Sequence, residues 1–216
     1  LARQAVIIQA AERIFAIKPF NEVSIRDIAR EAGISHATIY RYFPDQQSLF
    51  VEAFLQGAGE ITDTLKKLIE ESKIPDPVKI SDAYVTYLMD NDQYFRMMTH
   101  FMLDGSLSVE KIEKLNAAER KIFDQFDRLF NKMKRAEPVR PLSHAFFAAL
   151  NGVLITFRNY PGRPPKAVRR HMLNIADGVY AHAAILHTIS EANSKLGGTL
   201  HDMRRNKRMT LALVDD

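Results

Sequence analysis

The chain has 216 residues, of which 46% are hydrophobic and 26% charged, an ordinary composition for a soluble globular protein with a core that needs no cross-links. It contains no cysteine, which excludes disulfides, thiolate metal sites and thiol nucleophiles and fits the reducing cytoplasm in which we expect the protein. The net charge of +4 permits an anionic partner without requiring one, and no apolar run approaches the roughly 18 residues of a membrane span.

A helical period opens the chain. Apolar residues recur at three- and four-residue spacing, at Ala5, Ile8, Ala11, Ile14 and Phe15. Pro19 ends this helix, because the residue before a proline is pushed out of the helical region. Ser24 then offers an N-cap oxygen and Asp27 a carboxylate in the first turn. Together they predict a short helix over about 25–31 that stops at Gly33.

A second short helix follows the glycine. Ser35 caps it, and it ends before Pro44. Ile39 and Phe43 are four residues apart and share the face that we expect to be buried. Ala29 is small enough to let this helix approach the previous one, and the intervening glycine allows the turn its unusual backbone angles. The arrangement predicts a helix-turn-helix, whose second helix, over 35–42, enters the major groove of DNA.

The rest of the chain is also predicted to be helical, so the expected fold class is all-α. Asp45 caps a longer helix over about 46–72, and the IPDP run at 74–77 is the clearest linker. Further helices are predicted at roughly 77–90, 91–104, 109–136, 140–158 and 165–189.

A family resemblance is carried by residues 24–50, SIRDIAREAGISHATIYRYFPDQQSLF. This run closely resembles the DNA-binding domain of TetR-family transcriptional regulators: the turn, the T-[hydrophobic]-Y-x-[aromatic]-F core and the following capped helix stand at the family spacing. The resemblance is strong over residues 1–55 and architectural beyond them. It implies a helix-turn-helix domain over 1–50, an effector-binding and dimerisation domain over 51–190, and a C-terminal tail or short helix over 191–216.

The resemblance also implies DNA contacts by position. The contacts expected by position are Arg26, His36, Ala37, Thr38, Tyr40, Tyr42 and Gln46. Ser35 is expected from its chemistry, because a short hydroxyl near the helix start suits phosphates or base edges. Gln46 stands where the family often has a lysine that grips a phosphate, which predicts a shallower salt dependence than in a lysine-bearing relative. The alternatives are a solvated His36, a surface ion pair for Arg26, and half-buried packing for Tyr40 and Tyr42.

The region 84–157 is rich in phenylalanine, tyrosine and methionine. Such residues form either a hydrophobic core or an apolar pocket between helices for a largely apolar small-molecule effector, and their periodicity does not separate the two. The candidate pocket residues are Phe95, Met98, His100, Met102, Phe123, Phe126, Phe147, Asn151 and Arg158.

Two late segments, 143–157 and 168–186, suggest an interface. A stripe of small residues in the first segment permits close helix approach, and it consists of Ala145, Ala148, Ala149 and Gly152. The resemblance implies that these last two helices pair with their copies in a homodimer. The alternative is packing within one subunit.

The predicted function is that of a homodimeric repressor released from a palindromic operator by a small molecule, with half-sites roughly 34–36 Å apart. The alternatives are an effector-independent or activating DNA-binding protein and, from another class, a helical carrier or enzyme. No HExxH motif, glycine-rich phosphate loop or G-x-S-x-G motif occurs. We therefore expect no catalytic residue, cofactor or metal. The basic run at 203–208 is either a solvated tail or a weak auxiliary DNA contact.

Overall fold

The computed structural model describes residues 2–18, 22–103, 107–133 and 138–178, and every regular element within them is helical. The helices are α1 (Ala2–Ile17), α2 (Ile25–Glu31), α3 (His36–Tyr40), α4 (Gln46–Glu70), α5 (Pro77–Asp90), α6 (Asp92–Leu103), α7 (Val109–Lys132) and α8 (Val139–Phe157). Residues 165–178 form a further helix, α9. The all-α prediction is confirmed. The expected tail at 191–216, with its basic run, lies outside the described residues.

The helix starts at the N-terminal end are fixed by short-range hydrogen bonds. Ser24 Oγ accepts from the Asp27 backbone N–H at 3.2 Å, and the Asp27 carboxylate accepts from the Ser24 backbone N–H at 3.3 Å. This reciprocal pair is a capping box. Asp45 Oδ1 accepts from the Ser48 backbone N–H at 2.7 Å. The predicted caps of α2 and α4 are therefore present.

One helix of the motif is shorter than the sequence predicts. The second helix of the motif spans only His36–Tyr40, because residues 41–42 form a turn. The division expected between residues 50 and 51 falls inside α4, a continuous helix of 25 residues. The first turns of α4 pack against α1, where the rings of Phe15 and Phe50 meet, and α7 lies along α4 from its start. The division into two domains stays a prediction.

The core of the N-terminal unit, which comprises α1–α3 and the start of α4, is apolar and closed. Ile28, Ile39 and Leu49 are fully buried, and the rings of Phe15 and Phe50 meet edge to face at 4.6 Å. The turn between α2 and α3 passes through Gly33, whose φ of 66° is a conformation that favours glycine.

Helix α7 runs parallel to α4 along nearly its whole length. Ion pairs join the two helices in the same chain order, between Lys111 and Asp45 at 2.9 Å, Lys114 and Glu52 at 3.3 Å, and Arg128 and Glu70 at 3.4 Å. Helices α5, α6 and α8 complete the C-terminal unit around this pair. None of the helices in the described ranges is both long and apolar enough to cross a membrane.

Candidate nucleic-acid interface and ligand cavity

The outer side of α3 is polar and aromatic. His36 and Ala37 are exposed, and Tyr40 is 50% exposed. On the inner side, Ile39 is fully buried and Phe43 is 3% exposed, as their four-residue spacing predicts. The short helix therefore presents one side to a partner, while the core holds its other side in place.

The two hydroxyls at the start of α3 are linked to each other. The side-chain oxygens of Ser35 and Thr38 lie 2.9 Å apart, and Ser35 Oγ also accepts from the Thr38 backbone N–H at 3.2 Å. Each hydroxyl keeps further hydrogen-bonding capacity, because it has one donor and two acceptor positions. The expected DNA contacts on and beside α3, together with Arg26 of α2, are called the reading face: Arg26, Ser35, His36, Ala37, Thr38, Tyr40 and Tyr42.

Arg26 is the cation of α2 that has no carboxylate partner among the described residues. Its neighbour Asp27 instead pairs with Lys18 at 3.0 Å and Arg30 at 2.5 Å. A hydrogen bond from the Ser24 side chain and then one from Lys18 lower the pKa of Asp27 to about 2. The local carboxylate is thus occupied by two other cations, and the exposed Arg26 guanidinium can contact an anion.

Arg41 is a further exposed cation beside the reading face, and no described carboxylate pairs with it. Arg41 was not predicted from the sequence, because arginine is frequent in this basic chain. The available signal was its position between the two aromatic residues Tyr40 and Tyr42.

Gln46 occupies a different environment from the reading face. Its side chain is half-buried, and its Nε2 donates to the Val23 carbonyl oxygen at 2.8 Å. This bond joins the first residue of α4 to the segment that precedes α2. The side chain expected to contact a phosphate therefore already has a structural partner.

A cavity of about 370 Å³ lies between α4, α6, α7 and α8. Its volume is within the range of small-molecule sites. The wall is mostly apolar and consists of Phe54, Ala58, Tyr94, Met98, Phe101, Met102, Leu107, Ile112, Leu115, Asn116, Glu119, Ile122 and Phe147. Of the nine expected pocket residues, this wall contains Met98, Met102 and Phe147.

Two of the other six expected residues form a contact outside the cavity wall. The guanidinium of Arg158 lies over the Phe95 ring at 4.6 Å from its centroid and donates to the Leu88 carbonyl oxygen at 2.8 Å. It also pairs with Asp92 at the start of α6. These contacts hold the end of α8 against α5 and α6, which is a structural role.

The remaining four expected residues also lie away from the cavity wall. Asn151 is buried and accepts from the Tyr84 hydroxyl at 3.2 Å. Phe126 is a fully buried core residue, whereas Phe123 and His100 are half-buried. Asn151 thus satisfies a buried phenol, which explains a polar residue on the otherwise apolar face of α8.

Three polar groups of the cavity wall were not identified from the sequence. They are Tyr94, Asn116 and Glu119. Glu119 is half-buried and interrupts the apolar stripe of α7, which is formed by Ile112, Leu115, Ile122 and Phe126. A carboxylate at a stripe position was the signal that could have identified it. In the described ranges, no group of three or more potential ligand side chains is placed to hold a metal ion.

Tyr94 has the most deeply buried polar group of the wall. Its side chain is 3% exposed, and its hydroxyl has no hydrogen-bond partner among the described residues. Its ring stacks on Phe54 with 4.8 Å between centroids. Burial, followed by the charges of Tyr84, Tyr87 and Glu119, raises the pKa of this phenol well above its usual value.

The sequence matches a family model described as bacterial regulatory proteins of the tetR family over residues 7–53. It is 41% identical over 49 residues to the transcriptional regulator EthR of Mycolicibacterium smegmatis, a match that covers 23% of each chain. It is 24% identical over 163 residues to the transcriptional regulator YfiR of Bacillus subtilis, covering 71% of this chain and 78% of that one. Both relatives are named as transcriptional regulators of the helix-turn-helix type.

The fold is similar to that of the regulator FadR from Bacillus subtilis, solved in complex with stearoyl-CoA. The TM-score is 0.65 at 18% sequence identity, and the match covers 80% of this chain and 96% of that chain. At this level of identity the likeness concerns the fold alone.

Proposed function

The chain belongs to the TetR family of transcriptional regulators, and we propose that it is a homodimeric repressor that leaves its operator when a small molecule occupies the cavity between α4, α6, α7 and α8. The observation that carries the proposal is the exposed outer side of α3, located within the residues that match the family model. The reading face would enter the major groove, where hydroxyl, imidazole and phenol groups reach base edges and phosphates.

The proposed dimer uses the outer side of α8. Ala145, Ala148 and Gly152 are exposed there, and Ile155 is 62% exposed. These residues recur at three- and four-residue spacing, so they form one stripe along the helix. Small side chains allow a second helix to approach closely. A copy of the same stripe, related by a two-fold axis, is the partner that we propose.

Effector release would pass through the start of α7. Leu107, Ile112 and Leu115 line the cavity from this segment, and Lys111 in the same turns donates to both oxygens of Asp45 at 3.0 and 2.9 Å. Asp45 is the N-cap of α4 and lies five residues after the end of α3. A ligand that displaces this part of α7 would move the cap next to the reading face, and its differential affinity for the two states sets the size of the effect.

The FadR structure, which has a similar fold, was solved in complex with stearoyl-CoA, and this supports the proposal of a small-molecule effector. The cavity of this chain lies between α4, α6, α7 and α8 and has a mostly apolar wall. We therefore propose a largely apolar effector here as well.

Selection of random duplex DNA by the purified protein, at about 150 mM salt because phosphate contacts depend on salt, tests the DNA-binding proposal. The expected product is a palindrome. A chemical library that assumes no ligand class is then screened for release of the protein from that palindrome. Recovery of sequence-blind DNA would overturn the DNA-reading proposal, and a palindrome that no compound releases would overturn the effector proposal.

The dimer is tested separately by light scattering after size-exclusion chromatography. Ile155→Glu should produce monomers, because it places a charge within the proposed contact. The control is Ile74→Glu, at an apolar residue that is even more exposed, 77%, but lies in the α4–α5 connection. A dimer that persists in Ile155→Glu would exclude this side of α8.

A further inference from the structure

We propose that the cavity selects a cationic amphiphile, an apolar molecule that ends in a protonated amine, over neutral and anionic molecules of the same length. This inference rests on the proposed effector role of the cavity. Glu119 would pair with the ammonium group, and the amide oxygen of Asn116 would accept one of its remaining hydrogen bonds. The apolar wall would hold the hydrocarbon part.

The charge of the wall is the first argument. None of the described residues that line the cavity is a lysine or arginine, and Glu119 is their one carboxylate. Its side chain is half-buried and makes no ion pair or hydrogen bond within the described part of the chain. By contrast, Asp45, Glu52 and Glu70 each pair with a lysine or arginine of α7. A half-buried carboxylate without a partner is costly to keep charged, and a ligand cation would remove that cost.

The titration behaviour of Glu119 agrees with this environment. Burial raises the pKa of Glu119 above its usual value, and the charge of His144 on α8 lowers it. After burial, the carboxylate is also among the groups that raise the pKa of Tyr84 and Tyr94. The carboxylate and the unpartnered Tyr94 hydroxyl therefore share one weakly screened region of the C-terminal unit.

The aromatic residues supply a second attraction for a cation. Tyr94 and Phe54 stack at 4.8 Å, and Phe101 meets Phe54 edge to face at 5.6 Å. All three line the cavity. The negative faces of such rings attract ammonium groups. An anionic head group would find no cationic side chain in the wall and would meet the Glu119 charge, so the same wall disfavours it.

Three ligands with the same ten-carbon chain test the inference: decylamine, decanol and decanoate. Their binding to the DNA-free protein is measured by isothermal titration calorimetry at pH 8, where decylamine is protonated. We expect decylamine to bind on the order of tenfold more tightly than decanoate, because the ammonium group pairs with Glu119 whereas the carboxylate of decanoate is repelled by it. Glu119→Gln should remove most of this preference and leave decanol unchanged.

Two further variants test whether the effect of Glu119→Gln comes from the position of this carboxylate in the cavity wall. Glu113→Gln removes a carboxylate from the exposed side of α7 and should change none of the three affinities. Asn116→Asp adds a carboxylate to the exposed rim of the cavity and should strengthen the binding of decylamine.

Equal binding of the three ligands, tighter binding of decanoate, or binding of none would overturn the inference. So would a decylamine preference that survives Glu119→Gln. The effector role itself is decided by the release screen, which assumes no ligand class, so the two failures are distinguishable.

Discussion

In the N-terminal unit, the Asp27 carboxylate pairs with Lys18 at 3.0 Å and with Arg30 at 2.5 Å, whereas Glu119 in the cavity wall has no ion-pair partner in the described part of the chain. The two carboxylates have opposite pKa shifts. Hydrogen bonds from Ser24 and Lys18 lower the pKa of Asp27 to about 2, and burial raises that of Glu119. A carboxylate is therefore paired with cations of the protein itself in the N-terminal unit, whereas in the cavity wall a carboxylate is available to a ligand.

This difference distinguishes the reading face, whose supporting groups are held by internal bonds, from the cavity wall, which has a carboxylate available for a ligand. In the N-terminal unit, caps and ion pairs fix α2 and α3 before any partner arrives, so the reading face is preorganised. In the cavity wall, the Glu119 carboxylate has no ion-pair partner among the described residues, and a ligand can supply one. Asp45 lies between these regions. Burial alone would raise the pKa of Asp45. The hydrogen bonds from Lys111 and Ser48 outweigh this effect, so the pKa lies below its usual value.

The largest effect is expected on the stability of the N-terminal unit, because its buried core holds α3 in place. Ile39→Ala should lower the free energy of unfolding by about 2–5 kcal/mol, because it leaves a cavity at a fully buried position. Urea denaturation followed by circular dichroism measures the change. Ile74→Ala, at a position 77% exposed, is the control and should stay within about 0.5 kcal/mol of the parent. Equal small effects of both would mean that α3 is not anchored by Ile39.

The next effect tests the preorganised surface directly. Tyr40→Ala should weaken operator binding by about 1–3 kcal/mol with the fold intact. Tyr40 is 50% exposed on the outer side of α3. Fluorescence anisotropy with the selected palindrome measures the affinity, and circular dichroism checks the fold. Tyr160→Ala is the matched control, since Tyr160 is 43% exposed but lies beyond α8. Unchanged affinity in a folded Tyr40→Ala variant would remove Tyr40 from the reading face.

The link between the two regions can be cut at one residue. Lys111→Gln should change operator affinity without ligand by only about 0–1 kcal/mol, the usual contribution of a partly exposed ion pair. It should, however, reduce the loss of affinity caused by the compound from the release screen. Lys121→Gln, at an exposed lysine of the same helix, is the control. A full ligand response in Lys111→Gln would show that release follows another route.

Salt dependence sharpens the account of individual charges. Arg26→Gln should reduce the slope of log affinity against log salt by about 0.9, the value for one lost phosphate contact, and Gln46→Lys should increase it by about the same amount. Anisotropy titrations at several salt concentrations provide the slopes. Arg163→Gln is the control, because Arg163 lies over Tyr160 in the C-terminal unit. An unchanged slope in Arg26→Gln would place its guanidinium away from the phosphates.

The smallest effect concerns Asp82, a second carboxylate that makes no ion pair with the described lysines and arginines. Burial and then the charge of Asp177 raise the pKa of Asp82 on α5. A raised folded-state pKa stabilises the fold at low pH, and this contribution is lost as the pH rises through that pKa. Asp82→Asn should therefore raise the melting temperature at pH 8 and have less effect at acidic pH. Scanning calorimetry at both values checks this, and a lower melting temperature at pH 8 would refute it.

The N-terminal unit was predictable from the sequence because its determinants are local. Ser24 and Asp27 form their capping box within three residues, and Gly33 has the positive φ that the turn requires. The buried side of α3 followed from the spacing of Ile39 and Phe43. The length of α3 did not follow, because residues 41–42 leave the helix for a turn that no strong signal marks. The reading face itself stays a prediction.

The cavity was not predictable to the same degree, because core and pocket share one helical period. Met98 lines the cavity and Phe126 lies in the core, yet both occupy apolar stripe positions. The role of Arg158 depends on Asp92, which is 66 residues earlier in the chain. The periodicity of a sequence does not show which residues so far apart in the chain will pair. Glu119 was the exception, since a carboxylate within an apolar stripe could have been recognised.

The most direct test of the central claim is an anisotropy titration with two labelled duplexes, the selected palindrome and a scrambled sequence of the same composition. At about 150 mM salt, the account predicts that the palindrome binds on the order of 10³-fold or more tightly than the scrambled duplex, with two chains per duplex. Equal affinities for the two duplexes would contradict the claim that this chain reads DNA sequence through α3.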